Sequence, residues 1–281
     1  MKVVFHDDFY QVYTDDPAAG PGRMEAVVSG VSAFAEWVAA EPAPEAAIAA
    51  VHTAGHIAHI RRCGLYEIAA LAAGGAVRAA EIGMDEPCFA AIRPPGHHAS
   101  AGSCWGFCFF NNMAVAVESL KRSGRIRSAH ILDFDLHFGD GTENILGRKD
   151  FVTIHNPGSH DRLAYLAEVE EELRRYPADV IGVSAGFDNH RQDWGGLLTT
   201  ADYADMGRMV RDAARRNGGG VLRGAGGRLQ PRRAGAQRAG PPAGAIRLSR
   251  TAAAARTCPG GSTGSSTSGG HRRPPEGAGG A

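Results

Sequence analysis

The chain has 281 residues with 30 basic and 30 acidic side chains and 43% hydrophobic residues. That length suits one large α/β domain or two small ones, and that apolar content excludes a globally disordered chain. No run of eighteen apolar residues exists, so no membrane span is expected. The start, Met1-Lys2-Val3-Val4-Phe5-His6-Asp7-Asp8, turns acidic too early for a secretory signal, and five cysteines give no disulfide framework. A reducing, cytoplasmic setting is the expectation.

The short β-rich runs are Lys2–His6, Cys88–Arg93, Ala129–Asp135, Phe151–His155 and Asp179–Ala185. They are continuous apolar runs rather than alternating ones, as strands buried on both faces require. Helical periodicity covers Arg23–Ala40, Glu67–Gly83, Asn112–Ser123, Arg162–Arg175 and Ala201–Arg216. Strand and helix in repetition predict a parallel sheet with crossover helices, whose chemistry lies beyond the carboxyl ends of the strands.

Three predicted strand ends carry Asp and His. The first leads into Pro94-Pro95-Gly96-His97-His98, the second into Asp133-Phe134-Asp135-Leu136-His137-Phe138-Gly139-Asp140, and the third into Gly186-Phe187-Asp188. Charged groups at the ends of buried strands must be paired or bound to something. Asp135 and His137 are two apart and share one side of an extended backbone, so both can reach one ion, and Asp188 supplies a third ligand. Three protein ligands leave open positions, the pattern of a catalytic metal site. An Asp-His-Asp set is harder than a His-rich zinc site, which keeps Fe2+ or Co2+ open beside Zn2+. The plain alternative is a structural hydrogen-bond cluster. His97 and His98 can divide proton transfer between them, with Asp133 and Asp140 as the carboxylates that fix their tautomers. A pair of loop histidines in a Pro-Gly turn is the plain alternative there.

Other groups read more simply. Phe109 and Phe110 read as core, Asn111 or Asn112 as a helix cap, and Cys104 and Cys108 as buried thiols rather than ligands. His52, His56 and His59 read as a packing or surface face rather than a second metal site. Arg93 can hold a carboxylate or its own loop.

The motifs Arg93–Ala99, Gly106–Asn112, Asp133–Thr142 and Ser184–Asp188 together resemble the zinc-dependent deacetylases. These comprise histone deacetylases, bacterial histone-deacetylase-like amidohydrolases, acetoin-utilisation proteins and acetylpolyamine amidohydrolases. The resemblance covers residues 1–220. It implies the arginase–deacetylase α/β fold, a parallel sheet of about eight strands with helices on both faces. It implies Asp135, His137 and Asp188 as zinc ligands and His97 and His98 as catalytic histidines, His98 the general acid–base. Asp133 then stands behind His97, Asp140 behind His98, and Phe107 forms a wall of the substrate tunnel. Main-chain oxygens of Asp133–His137 are implied to hold a structural K+. The implied reaction is hydrolysis of an N-acetyl amide, on an acetylated lysine peptide, an acetylpolyamine or a small acetylated metabolite. A homo-oligomer fits the resemblance. Two other readings are an arginase-like manganese hydrolase and a catalytically dead binding module that keeps the acyl-lysine pocket. The chain departs from the family in having Phe138 where many relatives carry His. It also has Pro21-Gly22-Arg23-Met24-Glu25 near its start where relatives often show His-Pro-x-x-Arg.

The larger departure lies after Gly220. Residues 1–220 hold 29 acidic and 20 basic residues, whereas residues 221–281 hold ten arginines and one acid, Glu276. That second stretch has no Lys, Phe, Tyr or Trp and carries 14 of the 38 glycines. The family closes instead with a strand and a Glu-Gly-Gly-Tyr turn, whose hydroxyl stabilises the oxyanion. Back-translation of Val221 to Gly235 with suitable codons, less one base, encodes Cys-Phe-Val-Val-Leu-Glu-Gly-Gly-Tyr-Asn-Leu-Asp-Ala-Leu. The expectation is therefore a deacetylase catalytic domain over 1–220, its last strand or strands at risk. Residues 221–281 are then an out-of-frame or disordered tail, the one-base shift lying near Asn217–Val221. The competing reading, a basic tail for nucleic acid, lacks aromatic side chains for stacking, so no nucleic-acid partner is expected.

Overall fold

The computed structural model of the chain describes residues 1–16 and 19–225. The predicted out-of-frame tail lies, from residue 226 on, outside the described residues. Among the described residues, seven parallel strands form one sheet in the order β2-β1-β3-β7-β6-β4-β5. They are β1 (Lys2–Phe5), β2 (Glu36–Ala39), β3 (Cys88–Ala90), β4 (Ala129–Asp133), β5 (Val152–His155), β6 (Val180–Ala185) and β7 (Gly220–Ala225). The helices are α1 (Arg23–Val31), α2 (Glu45–Ile48), α3 (Ala54–Arg62), α4 (Tyr66–Gly83), α5 (Asn112–Arg122), α6 (Asp140–Leu146), α7 (Arg162–Arg175) and α8 (Thr200–Asn217).

Adjacent strand residues serve opposite faces, which is why the strands read as unbroken apolar runs. In β4, Ile131 joins the core under α4 and α5, while Leu132 joins the core under α7 and α8. Both residues are fully buried. The alanine-rich α4 lets its backbone lie close to the sheet, burying Ala69, Ala72, Ala73, Ala76, Ala79 and Ala80.

The five strands and four of the five helices expected from periodicity are present within a few residues. The helix expected over Arg23–Ala40 stops at Val31, and Glu36–Ala39 is the edge strand β2. Tertiary pairing decides there: β2 lies in register with β1, Lys2 opposite Glu36 and Phe5 opposite Ala39, where Trp37 and Val38 suit a strand. The short helices α2 and α6 carry no periodic signal, and α3 only the helical spacing of His56 and His59. The sheet also continues five residues past Gly220, since β7 pairs with β3 on one side and β6 on the other.

One ionic link ties α7 to α8. Thr199 caps α8, and Asp202 returns a side-chain hydrogen bond to the cap backbone. The Arg162 guanidinium grips the same Asp202 carboxylate at 2.7 and 2.5 Å and holds its pKa well below the usual carboxylate range. We expect Asp202→Ala to destabilise the fold by about 2 kcal/mol, the loss of a cap and a charge-assisted bond to a partly exposed arginine. A depressed carboxylate pKa stabilises the fold above the unfolded value near ~4 and loses that effect as the pH falls through the folded value. Urea unfolding at pH 7 and at low pH will therefore show the variant's deficit shrinking in acid.

Candidate active site

The carboxyl ends of β3, β4 and β6 meet in one cleft lined by His97, His98, Phe107, Asp135, His137 and Asp188. After β3 the chain enters the loop that carries His97 and His98. Asn112 Nδ2 donates to Pro94 O at 2.9 Å, Asn111 Nδ2 to Ala99 O at 3.1 Å, and the Thr142 N–H to His97 O at 3.1 Å. Both histidines are thereby held from their two flanks and buried.

Each histidine has its own carboxylate. His97 Nδ1 lies 3.1 Å from Asp133 Oδ2, and His98 Nδ1 lies 2.7 Å from Asp140 Oδ1. Their surroundings drive them in opposite directions. Burial alone would lower His97, but the Asp133 carboxylate, then Asp135 and Asp188, outweigh it and raise the pKa to about 9. Burial, and then the neighbouring His97, push His98 down to about 4.

Asp135, His137 and Asp188 present ligand atoms all within 4.8 Å of one another. His137 Nδ1 has one hydrogen to give and two carboxylates in reach, Asp135 Oδ1 at 3.1 Å and Asp188 Oδ2 at 3.0 Å. It bonds Asp135, and Asp188 Oδ2 is left buried with no hydrogen-bond partner. The two carboxylates push His137 up to about 10. An orphaned buried carboxylate oxygen facing a second carboxylate and an imidazole fits a divalent cation. Main-chain bonds orient the set: the Leu136 N–H donates to Asp188 Oδ1 at 3.0 Å and the His137 N–H to Asp135 Oδ1 at 2.9 Å. Gly186 is required beside them, because a Cβ there would stand 2.1 Å from Asp135 Oδ2.

The turn Trp105-Gly106-Phe107-Cys108 closes the cleft. The Cys108 N–H donates to Trp105 O at 3.1 Å, and Gly106 and Phe107 both sit in the left-handed region at φ 59° and 50°. For Phe107 that conformation costs of order 1–3 kcal/mol. Glycine is needed at 106, where a Cβ would come within 2.9 Å of His98 Cδ2.

All eight residues singled out from the sequence thus converge. Of the others, Phe109 and Phe110 are core and Asn111 caps α5 through the Ala114 N–H. Cys104 and Cys108 are free thiols, Cys108 fully buried. His52 and His56 are buried against Phe110, a packing role. Among the described residues, Arg93 holds neither a carboxylate nor its own loop: it ties the loop after β3 to the N-terminal segment, donating to Gly20 O and Gln11 O. The sequence reading missed Trp105, which stacks on His98, and Gly186; an aromatic residue before the Gly-Phe turn was the available signal for the first.

Among the described residues, a seven-stranded parallel sheet thus carries at its carboxyl end two Asp–His pairs and an Asp-His-Asp cluster that could hold a metal ion. The histone deacetylase domain matches residues 19–165, just over half of the sequence, and the chain belongs to that family. It is 35% identical to a probable deacetylase of Archaeoglobus fulgidus, over 57% of this chain and 55% of that one. It is 30% identical to a histone deacetylase-like amidohydrolase of Pseudomonas aeruginosa, over 69% of this chain and 66% of that one. The chain thus spans between about half and two thirds of these curated relatives. The crystal structure of an acetylpolyamine aminohydrolase from Burkholderia pseudomallei shares the fold, with a TM-score of 0.69 at 21% identity over 81% of this chain and 93% of that one.

Proposed function

We propose that the chain hydrolyses an N-acetyl amide on a lysine-like or polyamine chain, with Asp135, His137 and Asp188 holding Zn2+. The observation that carries this reading is the facing of two His–Asp pairs onto one Asp-His-Asp cluster in a single cleft. A cation bound there supplies a Lewis acid for the amide carbonyl and for water. His98 gives its Nδ1 hydrogen to Asp140, which leaves the Nε2 lone pair to take a proton from water and return it to the departing amine. His97, backed by Asp133, holds positive charge next to the carbonyl oxygen. Phe107 walls the cleft and keeps water from the acyl group. Among the described residues no tyrosine lines this cleft, so the proposed activity is weak. No described helix is long and apolar enough to cross a membrane.

A binuclear manganese hydrolase would want more Asp and His ligands at the strand ends. Among the described residues one cluster of three is found, which favours the mononuclear reading.

The test is to load the full chain with Zn2+ and measure hydroxamate binding together with acetate release from an N-acetyl-lysine peptide and an N-acetylpolyamine. Stoichiometric hydroxamate binding with slow acetate release is expected. Tight binding without turnover would instead support a dead acyl-binding module. A folded, zinc-loaded chain that engages neither would overturn the reading.

A further inference from the structure

Trp105 makes two contacts with the proton-transfer machinery. Its ring lies 3.6 Å from that of His98 at an interplanar angle of 26°, and its Nε1–H donates to Asp140 Oδ2 at 2.9 Å. The other oxygen of the same carboxylate receives His98 Nδ1 at 2.7 Å. Trp105, Asp140 and His98 therefore close a triangle: one stack and two hydrogen bonds. His97 also lies against His98, with ring centroids 3.9 Å apart. Two rings that close cannot share one face, so His98 is held between His97 and Trp105.

The triangle answers a physical need. The Asp140 side chain is 43% exposed, and an exposed carboxylate on a short side chain has water on offer in several rotamers. A hydrogen bond from a fixed indole removes that freedom, and the Asp140 rotamer in turn decides which His98 nitrogen carries the hydrogen. The indole is itself anchored by the turn in which Gly106 and Phe107 are both left-handed, an arrangement that brings residue 105 back over His98. Half of the indole stays exposed at the mouth of the cleft, so core packing does not account for its position.

We propose that Trp105 is a positioning residue: through Asp140 and through its stack it fixes the tautomer and orientation of His98. The inference rests on the reading of His98 as the group that moves the proton. Its test does not need turnover. In the full-length chain with 15N-labelled histidine rings, long-range 15N–1H spectra at fixed neutral pH report the His98 tautomer and the exchange of its Nδ1 hydrogen. The wild-type chain should show a single Nδ1–H tautomer with slow exchange. Trp105→Phe keeps a ring on His98 but removes the donor to Asp140. It should speed that exchange at least about 10-fold, the effect of losing one hydrogen bond to a charged group, and mix the tautomers. Trp105→Ala should go further, with the buried His52 resonances serving as the control for folding. With an acetylated substrate, Trp105→Phe should lower kcat at unchanged KM.

An unchanged His98 tautomer and exchange rate in a folded Trp105→Phe chain would overturn the proposal. A raised KM at unchanged kcat would also overturn it and assign the indole to substrate binding. A chain that shows the expected spectra yet hydrolyses no acetyl amide would sink the functional reading and leave the positioning role standing.

Discussion

Asp188→Asn is expected to abolish tight binding of Zn2+ while leaving the fold intact. Asparagine is nearly isosteric with aspartate and keeps one oxygen, which can still accept the Leu136 N–H now bonded at 3.0 Å to Asp188 Oδ1. The amide nitrogen then replaces Oδ2, the buried oxygen that has no hydrogen-bond partner. A donor with no lone pair to offer thus stands where a ligand is needed, and one of two negative charges in the cluster is gone. Loss of a partner outside the ligand set typically costs 10–100-fold in metal affinity, so loss of a ligand should exceed roughly 100-fold. Equilibrium dialysis with metal analysis, alongside circular dichroism and thermal unfolding, checks both halves. A variant that keeps wild-type zinc affinity would show that Asp188 is no ligand and that the cluster is a hydrogen-bonded brace. Asp188→Ala is the less informative change, because it also strands the Leu136 N–H.

Much of this site is legible along the chain because strand ends gather it, although the extended backbone expected through Asp135 is not found: β4 stops at Asp133, and residues 135–137 form a bend in which the His137 N–H bonds Asp135 Oδ1. Asp135 and His137 follow β4 with a spacing of two, and Asp188 follows β6, which pairs directly with β4, Asp133 opposite Ser184. That the histidines need Asp133 and Asp140 as partners follows from the chemistry of imidazoles, whereas which carboxylate stands behind which histidine is implied only by the family resemblance. What stayed hidden depends on tertiary contact. The edge strand β2 carries Trp37 and Val38 in a segment with helical periodicity, and only pairing with β1 makes it a strand. The stack of Trp105 on His98 needs two consecutive left-handed residues, and nothing in Gly106-Phe107 announces that the phenylalanine adopts φ 50°. Gly186 is silent for a similar reason, since its role is the Asp135 carboxylate that a Cβ would strike.

The largest gain in activity is expected from the reading frame. β7 lies in the middle of the sheet, where strands are covered on both faces and want continuous apolar runs. Its backbone nevertheless puts Arg223 in register between Phe89 of β3 and Val183 of β6. A cation and Gly224 are a poor sequence for a central strand, whereas Gly220 is needed where a Cβ would stand 2.6 Å from Gly83 O. With suitable codons for Val221 to Gly235, a one-base shift would turn the same stretch into Cys-Phe-Val-Val-Leu, an apolar strand, and follow it with Glu-Gly-Gly-Tyr. We therefore expect a fresh DNA read across the codons for Arg216 to Gly235 to show an added or missing base. The chain translated in the restored frame should hydrolyse the same acetylated peptide roughly 10²–10³-fold faster, the usual worth of one oxyanion donor. It should also unfold at a higher temperature, because the apolar strand has larger apolar side chains where the present one has Arg223, Gly224 and Ala225. Changing the new tyrosine to phenylalanine should remove the rate gain and keep the thermal gain, which separates the hydroxyl from the strand. Equal turnover in the two frames would mean that the cleft needs no such donor, and the hydrolysis proposed above would then rest on His97 and His98 alone.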